Sequence, residues 1–436
     1  MIKHYLKTAL KSFSRNRFVT FINIFGISFT LLVVTILFAF IDLEWGTDTP
    51  YEHKYETLTL NTMEMIAYEY DTIYHLDSTL INNTWTYDTL DYTTKKGEDI
   101  ANALANPSFS IIKKYLSNVR QSDNKTFFTS NTYNIFLPSG KLSVSIKYTD
   151  GNYWDIFPYK LLEGRFYNEA DIKNKEAVIV ITQRLEKKYF GDQSGLNKTI
   201  RINGTKWTVI GIVQNPKKYI SDGFVPYTHL PNHILNDISP LGRFTIVFLA
   251  KNKHQIKKIK SELKAIQATI EPFEDYTEFF FFPETFPEKF ATNLMNSNAE
   301  DASKALQKLK ARLSLFGLFF ILLPLLNLLN INLSRVFERK SEIGIRKSFG
   351  ANTTHIFYQF LFENILLSLA AGVIALGASY FVIHLINQSE VLDNSLYLNP
   401  TIIFWGLVAS FVFGILFGVL PAIRLSKLNI VNALKN

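Results

Sequence analysis

The sequence predicts an α-helical membrane protein with four transmembrane helices and a large α+β extracytoplasmic domain inserted between spans 1 and 2. Three observations predict it. Apolar residues are gathered into four runs of bilayer length, the clusters of lysine and arginine lie beside those runs, and a long polar stretch rich in tyrosine and threonine separates the first run from the second.

The first run, Phe18 to Phe40, holds 23 residues without a charge, about 34 Å as a helix. Leu313 to Leu333, Leu361 to Ile386 and Thr401 to Leu420 meet the same test. A cleavable secretory leader also has a basic start and an apolar core, but its apolar part is shorter and ends in a small-x-small site that is missing here. Lys3, Lys7, Lys11, Arg15 and Arg17 precede the first run, Arg335, Arg339, Lys340, Arg346 and Lys347 lie between the second and third, and Arg424, Lys427 and Lys435 follow the fourth. The link Asn387 to Pro400 carries Glu390 and Asp393 and no cation. The positive-inside rule therefore predicts both termini in the cytoplasm and residues 41–312 outside. The net charge of +8 sits where it meets the membrane surface, which argues for lipid as a partner and against nucleic acid.

The expected divisions are a cytoplasmic amphipathic elbow helix (1–17), transmembrane helix 1 (18–40), an outer domain (41–298), a stalk with transmembrane helix 2 (299–338), a cytoplasmic loop (339–355), transmembrane helix 3 (356–386), a short outer loop (387–400), transmembrane helix 4 (401–420) and a cytoplasmic tail (421–436). In the elbow, Ile2, Tyr5, Leu6, Ala9, Leu10 and Phe13 recur at three- and four-residue spacing against a lysine face, either as a lever or as a plain anchor. Asn23, Gly26, Ser28 and Thr30 give span 1 a face suited to close helix packing.

The outer domain reads as mixed α+β. Thr57 to Thr94 is β-like, Pro107 to Val119 helical and Ser143 to Tyr148 a strand. Ala177 to Ile181 is a buried-type strand, and Gln183 to Phe190 a helix stopped by Gly191. Thr199 to Ile202 and Thr205 to Val213 form a hairpin about Asn203-Gly204, and strand Phe244 to Ala250 precedes helix Lys253 to Ile270. Ala302, Ala305, Leu306, Leu309 and Leu313 carry a helical stalk into span 2.

Inside the membrane, Pro324 predicts a kink in span 2, and Asn330, with Asn327 and Asn332, reads as an interhelical hydrogen-bonding group rather than a substrate path. Glu363 lies one turn into span 3, where it can pair with a cation of the neighbouring loop; that reading is preferred to a proton relay. In the loop itself, Ser341 can cap a short helix, Glu342 stands four residues before Arg346, and Gly350 suits the left-handed position after a helix end. Ile345 and Phe349 share one face, which predicts a two-turn, partly apolar helix at the inner surface.

No catalytic, cofactor or metal site is expected. The stretch Gly191 to Thr199 lacks phosphate-loop spacing. His229 and His233 are separated by Pro231 and have no third ligand nearby, and the cysteine count is zero.

These residues resemble the MacB/FtsX-like permease family of ABC transporters. The resemblance rests on Glu338-Arg339, Glu342-Ile343-Gly344-Ile345-Arg346-Lys347, Gly350-Ala351, Asn330, Glu363 and the closing Pro421-Ala-Ile-Arg. In the outer domain it rests on Tyr153-Trp-Asp-Ile-Phe, Leu162-Glu-Gly-Arg-Phe and Trp207-Thr-Val-Ile-Gly. It implies a MacB-type periplasmic core domain, a bacterial inner-membrane location, and an ATPase-coupling role for Glu338, Arg339, Glu342, Ile343, Gly344, Ile345, Arg346, Lys347, Phe349 and Gly350. MacB carries a fused ATPase domain with no counterpart in these residues, which implies a separate cytoplasmic ABC ATPase subunit that binds ATP and Mg. The resemblance also implies a homodimer, or a heterodimer with a related permease, that drives periplasmic export by mechanotransmission, with a periplasmic adaptor and a TolC-like outer-membrane duct in tripartite relatives. Two other readings are an FtsX-like regulator of cell-wall hydrolases and a lipoprotein-releasing permease. A receptor or enzyme merely tethered to the membrane would not need four spans and a capped inner helix.

Overall fold

The computed structural model describes the chain except for residues 1–5, 7, 8, 10, 12, 15, 16, 48, 82, 83, 138, 139, 217–220, 320–342, 344, 346, 390–395 and 427–436. It divides into two compact units, Met1–Gly46 with Lys310–Asn436, and Thr47–Leu309.

The first unit is helical. Helix α1 (Arg17–Trp45) buries Asn23, Ile27, Ser28, Leu31, Thr35 and Ala39, while Phe18, Phe21, Phe25 and Phe29 stand 58–75% exposed. Phe21, Phe25 and Phe29 stack along the outside with centroids 6.2 Å apart. Small and polar residues inward with aromatic residues outward is the arrangement of a helix solvated by lipid. Helix α10 (Thr353–Gln388) and helix α11 (Pro400–Ser426) complete the described bundle. Ile27 and Leu31 pack with Leu367, Ala371 and Ala375, flanked by Ala409 and Phe413. Among the described residues, Thr20–Leu43 and Thr353–Gln388 are the helical stretches long and apolar enough to cross a membrane, and Pro400–Leu416 is a shorter apolar one. Most of the run Leu313 to Leu333, with Pro324, lies outside the described residues.

The α10–α11 seam runs backbone against backbone. Gly406, Ser410, Gly414 and Gly418 recur every four residues, and Ser410 faces Gly372 across the contact. A Cβ on Gly414 would lie 2.7 Å from Cα of Ile365, and one on Gly418 would lie 3.0 Å from Cβ of Asn364. Hydroxyls in these helices bond to their own backbone: Thr30 donates to the Gly26 carbonyl at 3.0 Å, Ser379 to Ala375 at 2.7 Å and Ser410 to Gly406 at 2.8 Å. That leaves few donors for a solvent with no acceptors.

The second unit is built on a ten-stranded mixed sheet and a four-stranded sheet. Its strands are β1 (Thr57–Leu60), β2 (Met63–Ile81), β3 (Thr84–Pro107), β4 (Asn124–Leu137), β5 (Gly140–Thr149), β6 (Leu161–Gly164), β7 (Val178–Thr182), β8 (Thr199–Ile202), β9 (Thr205–Val213), β10 (Gly223–Pro226), β11 (Leu241–Gly242), β12 (Thr245–Leu249), β13 (Glu278–Phe281) and β14 (Glu284–Thr285). The large sheet runs β14-β1-β12-β4-β5-β10-β7-β9-β6, with β8 on β9, and the small one runs β11-β3-β2-β13. β10 lies parallel to β5, and β7 parallel to β9, within an otherwise antiparallel order. The described helices of this unit are α2 (Phe109–Lys114), α3 (Tyr153–Ile156), α4 (Glu169–Lys173), α5 (Gln183–Phe190), α6 (Asn232–Leu235), α7 (Lys253–Gln267) and α8 (Phe286–Met295).

Several expected elements occur with small changes of boundary. The β8–β9 hairpin turns at Asn203 and Gly204, with φ of 48° and 78° as a two-residue turn of that type requires. Gly191 ends α5 at φ 68°. Other expectations need correction. The β-like stretch expected to stop at Thr94 continues to Pro107, and the helix expected over Pro107 to Val119 shrinks to α2 and a 3-10 turn at Leu116–Asn118. Pairing with β2 holds the segment from Lys95 to Ala105, although its charged and alanine-rich composition favours other structure. The outer part of this hairpin is a two-stranded ribbon on which Tyr70, Ile73, Tyr74, Leu76 and Tyr92 are exposed. Helix α7 ends at Gln267, short of the expected Ile270.

Residues 302–319 form helix α9, and the boundary between the units falls within it. Its first turns pack Ala305 and Leu309 on Ala291 of α8. A capping box between Thr285 and Glu288 starts α8, and Glu288 also pairs with Lys260 of α7 at 2.9 Å.

The core of the second unit contains a cation. Lys147 on β5 is 5% exposed, its Nζ lies 4.4 Å from the centre of the Phe128 ring, and it donates to the Tyr153 hydroxyl at 3.4 Å. Burial, with Lys289 adding to it, pushes its ammonium down to about 7. The unfolded chain therefore holds this proton up to the ordinary lysine range while the folded one releases it earlier, so stability rises with pH above about 7. Lys147→Met should stabilise the protein at neutral pH by about 1–3 kcal/mol. It should also flatten the rise between about pH 7 and 9.5 relative to the parent. Thermal melts of both proteins across that range check this, and an equal slope in the two would refute it. At the helical seam, Gly414→Ala should cost about 1–3 kcal/mol by overpacking. Gly377→Ala, where a Cβ meets nothing within 4 Å, should gain about 0.5–1 kcal/mol of helix propensity; melts of the solubilised variants distinguish the two directions.

Candidate functional site

The candidate site is the stretch leading into α10. Asn352 caps that helix, its side chain accepting from the Thr354 amide at 3.1 Å. Just before the cap, the backbone turns back at Gly350, where φ is +87°. The Phe349 amide donates to the Ile345 carbonyl at 3.2 Å, the Gly350 amide to Lys347 at 3.0 Å, and the Ser348 hydroxyl to Ile345 at 2.9 Å. These bonds close a helical turn that stops at a residue able to take a left-handed backbone.

The apolar residues of the turn divide into two sets. Ile343 is 3% exposed and packs with Ile356, Ala351 and Phe360, which anchors the turn to the start of α10. Ile345 and Phe349 are 50% and 89% exposed. Lys347 is half-buried. Glu363, nearly three turns into α10, is 3% exposed, and its neighbour Asn364 donates to the Phe360 carbonyl at 2.9 Å. Asn330, Glu338, Arg339, Glu342, Gly344 and Arg346 lie outside the described residues, as does Ser341.

At the other end of α10, two asparagines tie the helix ends. Asn387 exchanges two 2.9 Å bonds with the backbone of Leu396, and Asn399 donates to Asp42 of α1 at 2.8 Å while accepting from the Ile402 amide. Sequence reasoning missed this clamp, and it missed the anchoring role of Ile343 and the α10–α11 seam. A signal for the seam is present in Gly414-Ile-Leu-Phe-Gly418, a small-xxx-small repeat of the kind that brings membrane helices together. Nothing in local sequence distinguishes Ile343 from Ile345. No cluster of three metal-ligating side chains occurs among the described residues, and His229 instead bonds the Glu176 carbonyl and packs edge-on against Trp207.

Two family models match the chain: the MacB-like periplasmic core domain over residues 20–266 and the FtsX-like permease C-terminal domain over residues 314–430. Neither is an ATPase domain. Together they define a membrane permease that carries a periplasmic domain. The chain belongs to the MacB/FtsX-like ABC transporter permease family. The macrolide export ATP-binding/permease protein MacB of Neisseria meningitidis serogroup A is 28% identical over 300 residues, which are 67% of this chain and 44% of that protein. The chain thus spans less than half the length of such relatives. The ABC transporter permease YvrN of Bacillus subtilis is 25% identical over 291 residues, 66% of this chain and 68% of that one. The crystal structure of the periplasmic region of MacB from Actinobacillus actinomycetemcomitans aligns with 44% of this chain and 85% of that one, at 20% identity and a TM-score of 0.33.

Proposed function

We propose that this chain is the permease subunit of an ABC transporter of the mechanotransmission type, in which a separate cytoplasmic ATPase moves the periplasmic domain through the membrane helices. The observation that supports this best is the pair Ile345 and Phe349, left exposed on a turn whose third apolar residue, Ile343, is locked to α10. An exposed apolar pair on an anchored turn is a docking surface, and a push on it acts directly on a helix of 36 residues. In this reading four spans, α1, the run Leu313 to Leu333, α10 and α11, carry the chain across the inner membrane with both termini in the cytoplasm. The distribution of lysine and arginine supports that orientation.

The partner ATPase binds ATP and Mg, and two permease copies, or this chain and a related one, form the membrane core. The helical residues 302–319 support the transmission of movement, since a helix resists bending far better than a loop. Export of periplasmic substrates, with an adaptor and an outer-membrane duct, is the outcome favoured here; the named activity of the MacB relatives supports it.

Ile345→Asp and Phe349→Asp should each leave the protein inserted and folded and lower recovery of the ATPase in co-purification by about tenfold or more, the effect of losing one anchor residue at an interface. Unchanged recovery would sink the coupling role.

A further inference from the structure

In the second unit, a cleft of about 520 Å³ lies between α2, the ends of β4 and β5, and α6. One wall is aromatic and partly open: Phe109, Phe127 and Tyr227 pack on one another with centroids 4.9–5.6 Å apart. Rings held by rings form a preorganised apolar surface that needs little ordering when something binds.

Three lysines line the same cleft, Lys113, Lys125 and Lys175. Lys125 is held by the Val119 carbonyl at 2.8 Å. Lys113 and Lys175 are exposed and make no ion pair among the described residues. Lys175 sits at φ +53°, an uncommon backbone for a lysine, just after α4. Asn152, Asn232 and Asn236 add amide groups to the rim.

The acid lining the cleft is Asp150, 9% exposed, whose carboxyl accepts from the Thr126 hydroxyl. Burial pushes it up to about 7, and Glu169 pushes in the same direction against the bonds from Thr126, Phe127 and Tyr153. The tyrosine hydroxyls of Tyr167 and Tyr227 also lie in its electrostatic reach, and Glu262 stands near Lys125. Protonation of Asp150 leaves the cleft cationic.

We infer that this cleft binds a small amphipathic carboxylate, its apolar or aromatic body against Phe109, Phe127 and Tyr227 and its anionic group on Lys113, Lys125 and Lys175. Aromatic walls alone would take any apolar molecule; the lysines select the anion. The inference does not depend on coupling to an ATPase, because it concerns only what the second unit holds.

Fluorine NMR on the full chain in nanodiscs tests this with para-trifluoromethylphenylacetate as the probe and the neutral para-trifluoromethylphenylacetamide as comparator, each corrected for empty nanodiscs. The carboxylate should bind saturably and the amide about tenfold more weakly, the worth of one or two charge-assisted contacts. Lys113→Gln, and Lys113→Gln combined with Lys175→Asn, should weaken the carboxylate progressively, to about tenfold for the pair, without lowering the melting temperature. Affinity should rise as pH falls from about 8 to about 6, and Asp150→Asn should remove that rise. No saturable binding above empty nanodiscs, equal binding of the amide, or indifference to both lysine variants would overturn the inference.

Discussion

The first unit depends on a constraint that water never imposes: a helix in lipid must satisfy its polar groups from within and must find its partners without help from the hydrophobic effect. Helix α1 turns phenylalanines outward and small residues inward, the reverse of a soluble helix, and leaves the amide of its buried Asn23 without a hydrogen bond among the described residues. With no gain from burying leucine, closeness of approach becomes the source of attraction, and the four-residue repeat from Gly406 to Gly418 supplies it. Hydroxyls that would be costly in a bilayer bond back to their own turn. The asparagine clamps at Asn387 and Asn399 serve the loop in the same way, giving backbone and side-chain groups partners at the helix ends.

The second unit obeys the ordinary rules of a water-soluble domain and breaks them locally. Its mixed sheet places Ile146, Ile179, Val209 and Val225 in one apolar core, as two-sided burial demands. Around that core, charge is drawn inward at Lys147 and Asp150, and at Glu288, where a carboxylate serves both a helix cap and the link between α7 and α8. Of these two helices, α8 packs Ala291 on Ala305 and Leu309 at the start of α9, so the carboxylate that caps α8 lies on a helix in contact with α9.

Much of this was legible in the sequence where local chemistry decides the outcome. Asn203-Gly204 specified its hairpin because few other pairs take two positive φ angles, and Gly191 ended α5 for a related reason. The second half of β3 was not legible, because its residues do not prefer a strand and adopt one only through pairing with β2. Ile343 and Ile345 show the same limit at the candidate site: two identical side chains, two residues apart, become an anchor and an exposed surface according to what α10 offers them. The glycine repeat of α11 was visible as spacing, but its partners on α10 are set by tertiary approach.

Lys147 carries a consequence for how this protein can vary. A lysine among aromatic rings survives because it can surrender its proton near neutrality. A guanidinium keeps its proton beyond pH of about 12 and is longer and wider. Arginine, one base change away for every lysine codon and ordinarily the mildest exchange, should therefore disrupt this position, while methionine, which changes the charge class, should be tolerated. At this point in the domain the conservative substitution is the disruptive one, and the usual ranking of amino-acid similarity is inverted.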